Sequence, residues 1–209
     1  MKVAIFFLFL IVVVFIAGFA FAHIHFISQV QASTSTSTAQ AIKITVNEDI
    51  SLTLSTSTLN LPALVPGIAV IASSSATVNT NAVSGWELEV NRNSATSTIA
   101  SGTITFPDAT PFNGSNATSA TNIGADLSFR EAASGTSPGV YSVSTWGAND
   151  VDPNAFYAGI PTSTQIYAST STYSGSAETV VLEVRANAPA TQQATSYSGA
   201  ITITALALP

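Results

Sequence analysis

The hydrophobic pattern changes character twice along the chain. Residues 3–22 are apolar almost without interruption behind Lys2, and residues 33–38 alternate serine with threonine. From residue 42 onward apolar side chains recur at every second position, the period of a half-buried β-strand. Ile42, Ile44 and Val46 alternate with Lys43 and Thr45, and Ile50, Leu52 and Leu54 alternate with Ser51 and Thr53. A bend at Asn47-Glu48-Asp49 is expected between these two strands, because a straight run would put Glu48 on the apolar face. The same period recurs at Trp86, Leu88 and Val90, at Ile104 and Phe106, and at Leu127 and Phe129. It returns at Tyr141, Val143 and Thr145, at Val180, Leu182 and Val184, and at Ile201, Ile203 and Ala205. Turn-forming pairs stand between the runs: Pro66-Gly67, Ser84-Gly85, Asn113-Gly114, Pro138-Gly139, Ser174-Gly175 and Ser198-Gly199. No stretch beyond residue 41 carries a sustained 3.6-residue period. The pattern predicts an all-β domain, an antiparallel Greek-key β-sandwich of about 8–10 strands, each sheet with one solvated face.

The N-terminal run gives the domain organisation. A positive residue, a long apolar stretch and the polar Ser28-Gln29-Val30-Gln31-Ala32 read as an export signal, with cleavage expected after Ala32. An uncleaved membrane anchor is the alternative, since roughly 20 apolar residues can span a bilayer. The expected organisation is a signal or anchor over 1–32, a Ser/Thr-rich linker over 33–41 and a β-sandwich over 42–209. On either reading the domain lies outside the cell, and the membrane is touched only through the N-terminal segment.

Composition narrows the function classes. Charged residues make up 8% of the chain, against about 25% in an ordinary soluble domain. A polar but uncharged surface of Ser, Thr, Ala and Asn fits an exported bacterial surface protein. The net charge of −6, with Lys43, Arg92, Arg130 and Arg185 scattered beyond residue 32, argues against nucleic acid, which requires clustered cations. Cysteine is absent, which rules out disulfides and thiolate metal sites. Both histidines, His23 and His25, precede the expected cleavage site, so general acid–base chemistry would fall to carboxylates.

Four sets of residues are candidates for chemistry. Glu87 with Glu89, or Asp150 with Asp152, could form a glycosidase-like carboxylate pair, although any exposed i, i+2 strand pair has the same spacing of about 6.5–7 Å. Asp150, Asp152 and Asn154 offer oxygen ligands at alternating positions, as Ca²⁺ prefers, but Ala155 and Pro161 stand where a calcium loop needs Gly and Glu. An Asx-rich turn before Pro153 is the simpler reading. Asn113-Gly114-Ser115 and Asn116-Ala117-Thr118 match the glycosylation pattern. Trp146, Phe156 and Tyr157 would suit glycan stacking if exposed, or a small core beneath a loop if buried. Trp86, with Leu88 and Val90, is expected to anchor the main core.

Val78-Asn79-Thr80-Asn81 leading into Gly85-Trp86-Glu87-Leu88 resembles the first Trp-x-Leu region of bacterial WxL surface domains. The closing Tyr197-Ser198-Gly199-Ala200-Ile201-Thr202-Ile203-Thr204 is similar to that family's last strand. The second Trp-x-Leu is replaced here by Ile203-Thr204-Ala205. Over residues 42–209 the resemblance implies a secreted β-sandwich held non-covalently at the cell wall. The expected function is therefore a non-catalytic cell-surface module, binding envelope glycan or building structure, without a cofactor. The alternative is a filament or array subunit that lends a β-strand to the next copy. A secreted carboxylate-dependent hydrolase is disfavoured by the missing histidine.

Overall fold

Most of the alternating runs are strands, but two paired strands, Val70–Thr80 and Gln165–Thr170, lie where the pattern predicts none. The computed structural model describes residues 43–209, of which Val46–Pro209 form one unit and residues 43–45 belong to the preceding one. The signal, the linker and Ile42 lie outside the described residues. The strands are β1 (Ile50–Leu54), β2 (Val70–Thr80), β3 (Trp86–Arg92), β4 (Ile99–Ser101), β5 (Ile104–Thr105) and β6 (Thr118–Ser119). They continue as β7 (Leu127–Ala132), β8 (Phe156–Tyr157), β9 (Gln165–Thr170), β10 (Glu178–Ala186), β11 (Ser198–Gly199) and β12 (Ile201–Ala207). Two single helical turns, α1 (Ala120–Ile123) and α2 (Val143–Trp146), complete the described elements. The fold is all-β.

The larger sheet has the order β1-β2-β10-β7 and the second β12-β3-β9, with smaller sheets β11-β4-β5 and β6-β8. Every strand pair in these sheets is antiparallel. The long pairing of β10 on β2, from Glu178 opposite Val78 to Ala186 opposite Val70, forms the backbone of the larger sheet. Inward residues of both large sheets meet in one core: Ala76, Val78, Val180 and Leu182 from one, Trp86, Leu88 and Val90 from the other. Trp86 is fully buried as expected, and its indole Nε1–H donates to Glu178 Oε2 at 2.6 Å.

Beyond those two strands, the structure departs from the pattern in four places. Residues 43–49 form no strand, and Ile44 and Val46 are 80% and 78% exposed. Alternation makes a strand only where a partner edge is available, and none is paired with them among the described residues. Residues 47–49 are instead pinned to the end of β2: Asn81 Nδ2 donates to the Asn47 carbonyl, and Asp49 N–H donates to Asn81 Oδ1. Second, the run at Tyr141, Val143 and Thr145 is not a strand. It coils into α2, leaving Val143 exposed so that Trp146 turns fully inward.

Third, β7 does not have a solvated face. All six of its residues are buried, Ser128 and Arg130 on the face opposite Leu127 and Phe129. On that side Asp150 pairs with Arg130 and the Tyr157 ring packs against its guanidinium. Fourth, Ser198-Gly199 is a strand, β11, rather than a turn. A Cβ on Gly199 would lie 1.9 Å from the Thr98 carbonyl oxygen, so only glycine permits this approach to β4.

Candidate binding groove

β1 and β12 are the outermost strands of their sheets on one side of the domain, and they lie near each other. Among the described residues each has a single strand neighbour. Neither contains a charge, a proline or a bulge, the devices that normally protect a sheet edge. The other two outer edges are modified. β9 pairs with β3 through an irregularity at Leu88/Glu89, and β7 is bridged by Asp108 and Ala158.

A groove of about 860 Å³ opens at this unprotected side and enters between the sheets. Leu54 of β1 and Ile201 and Ile203 of β12 stand at its walls, with Phe106, Leu182 and Val184 deeper inside. Residues 55–69, without strand or helix, form a further wall and turn Leu59, Leu61 and Leu64 toward the core. This wall is tied down by Ser55 N–H to the Ser75 carbonyl at 2.8 Å and Gly67 N–H to the Ala188 carbonyl at 3.0 Å. The facing wall, residues 189–197, is held by Gln192 Nε2 donating to the Thr105 carbonyl. Tyr197 packs edge-on against Phe106 with ring centroids 5.5 Å apart. Thr, Ser, Asn and Gln supply the polar rim. Among the described residues, no carboxylate, amine or guanidinium lines the groove.

Several charged residues are used elsewhere, in the interior. Arg130 is fully buried on β7; its Nε donates to Glu183 Oε1 at 2.8 Å and its Nη2 pairs with Asp150. Tyr157 packs beneath that guanidinium, 5.2 Å from ring centre to Cζ, and its hydroxyl donates to Glu183 Oε1 at 2.6 Å. Burial opposes the charge on Arg130, yet the hydrogen bond and charge of Glu183, with Asp150, raise its pKa. Burial also pushes Asp150 upward, but N–H groups of Ala133 and Ser134 together with Arg130 hold it below the usual carboxylate range. Arg92 makes a second pair with Asp108 at 2.5 Å.

Glu131, next to Arg130 in sequence, points the opposite way into the apolar core. Its side chain is buried; among the described residues Oε1 has no partner, and Oε2 accepts only a long 3.5 Å bond from Ser142 N–H. Burial pushes its carboxyl up to about 8, against the small opposing effect of that N–H. The buried Tyr167 hydroxyl is also without a partner among the described residues, and its pKa is raised by burial and by Glu131.

These placements change the candidate residues. Trp146 and Tyr157 are buried, and Phe156 is half-buried, so the three do not form an exposed glycan-stacking platform. Trp146 instead stacks on Phe112, with centroids 4.8 Å apart, and its Nε1–H donates to the Tyr167 carbonyl. Asp150 is taken by Arg130 and by two backbone N–H groups, which leaves no free carboxylate for a calcium ion at that position. Asp152 and Asn154 are exposed, and Asn149 Oδ1 caps Val151 N–H at 2.9 Å in an Asx turn. No group of three or more His, Cys, Asp or Glu is placed to hold a metal among the described residues. At Gly147, where φ is +92° and a Cβ would meet the Asn154 carbonyl at 1.8 Å, the loop closes backbone to backbone.

Glu87 and Glu89 stand half-buried on the outer face of β3, away from the groove. Asn116 uses its side-chain amide to donate to the Pro111 carbonyl and its oxygen to accept from Asn113 N–H, whereas Asn113 is exposed. The groove itself was not visible in the sequence. Its residues come from segments 54–66, 98–106, 182–188 and 192–203 with Ser74, Leu127 and Ile160, and only the unusual length of the apolar-dotted loop 55–69 hints at it. No protein-family model matches the chain, and no curated protein does.

Proposed function

We propose that the protein is an exported, non-catalytic module of the cell envelope that binds an extended apolar polypeptide segment. The observation that carries this reading is the uncharged groove flanked by the two unprotected strand edges, β1 and β12. A strand laid along either edge would gain main-chain hydrogen bonds and place alternate side chains in the groove, the logic of β-strand addition. Its volume lies within the range of about 300–1,000 Å³ typical of ligand sites. The absence of ionisable groups other than Tyr197 in its lining is poor material for acid–base or nucleophilic chemistry. Export is supported by the N-terminal pattern. The likeness to WxL surface domains points the same way, and its two stretches form neighbouring strands, with Leu88 of β3 opposite Ala205 of β12. Burial of Trp146 and Tyr157 leaves the glycan alternative without its aromatic platform.

The test is a fluorescence-anisotropy titration with a labelled, lysine-flanked peptide of alternating valine and threonine, run beside soluble peptidoglycan fragments. Saturable peptide binding, with Kd roughly micromolar, is expected. Binding of the glycan fragments without binding of the peptide would overturn the reading.

A further inference from the structure

We infer that the segment filling the groove is the N-terminal approach to β1, residues 42–46, supplied by a second copy of the chain. This rests on the reading of the groove as a strand acceptor. The described part of that segment has the properties of a donor. Ile44 and Val46 alternate with Thr45, lie almost fully in solvent and take part in no strand or bridge among the described residues. The sequence places Ile42 in the same phase and Lys43 in the opposite one, so that an added strand would turn three apolar side chains one way and its cation to water. The groove that would receive them is apolar inside and uncharged throughout.

The observed placement favours another copy over the chain's own groove. Asn81 pins residues 47–49 at the Ile50 end of β1, and Val46 beside them is 78% exposed and not among the residues lining the groove. Donation to a neighbour, which donates in turn to the next, is a head-to-tail contact and generates a chain of copies rather than a closed pair.

The experiment uses the full chain, expressed with its own N-terminal segment and purified as the cell processes it. Light scattering is measured across a dilution series for the native protein and for Ile44→Asp and Val46→Asp. Both positions are exposed, so the substitutions leave the fold intact, which circular dichroism verifies. Native protein is expected to form oligomers that dissociate on dilution. Each substitution is expected to weaken them by roughly a hundredfold, because an unpaired charge would enter the groove. A synthetic peptide covering residues 39–49 should dissociate the native oligomers. Monomers at every concentration, or oligomers unchanged by both substitutions, would overturn the inference. If the valine–threonine peptide still binds in that case, the acceptor reading stands and the donor is foreign. If it does not, both fail.

Discussion

Replacing Arg130 with methionine is expected to destabilise the fold by roughly 3–5 kcal/mol, the usual cost of removing one partner from a buried ion pair. Two carboxylates, Glu183 and Asp150, lose their cation together. Their side chains are 15% and 25% exposed, so water relieves part of the penalty and the lower end of the range applies. For a domain of this size that corresponds to a melting temperature lower by about 6–12 °C. Arg130→Lys should recover only part of the loss, since lysine cannot reproduce the fork that reaches Glu183 and Asp150 at once. Combining Arg130→Met with Glu183→Gln and Asp150→Asn should restore stability relative to the single substitution, because no charge is left unpaired. A change within about 0.5 kcal/mol for Arg130→Met would mean that the cluster is solvated and carries little of the fold.

Stability is also expected to fall as pH rises from about 4.5 to 8, through Glu131. Its folded-state pKa of about 8 lies above the ordinary value of 4.5. Between those values the unfolded chain has released the proton and the folded chain still holds it. Folding therefore takes up a proton in that window. Each pH unit across the window costs up to about 1.4 kcal/mol, and the loss levels off above pH 8. Glu131→Gln removes this dependence, so denaturant titrations of the two proteins should nearly coincide at pH 5 and separate by pH 8, the variant being the more stable. The groups around Arg130 titrate alike in both proteins and cancel in the difference; the depressed Asp150 contributes only at more acid pH. Parallel stability curves from pH 5 to 8 would show that Glu131 is ionised in the folded protein.

Both predictions concern residues that the alternating pattern misreads. A charged side chain on a strand is normally read as solvent-facing, and on β3 Glu87 and Glu89 behave that way. On β7 the same reading fails for Arg130, buried by its ion pairs, and for Glu131, buried without one. The inward sets Trp86, Leu88, Val90 and Val180, Leu182, Val184 were legible because both sheets contribute one apolar face to a shared core. The short run at Tyr141, Val143 and Thr145 was misleading because a helical turn seats Trp146 in that core, with Tyr141 donating its hydroxyl to the Gly147 carbonyl. Ile44 and Val46 carry a strand pattern without a strand, since pairing depends on an edge that local sequence does not specify. The groove could not be read locally at all. It exists only where loop 55–69, the 189–197 segment and the edges of β1 and β12 converge.

The central claim is that an extended apolar segment enters between β1 and β12. Amide hydrogen exchange, measured with and without saturating valine–threonine peptide, tests it most directly. The account predicts slowed exchange in Ile50–Leu54 and Ile201–Ala207, with little change around Arg130 and Trp146. Unaltered exchange in both edge strands at saturating peptide would contradict it.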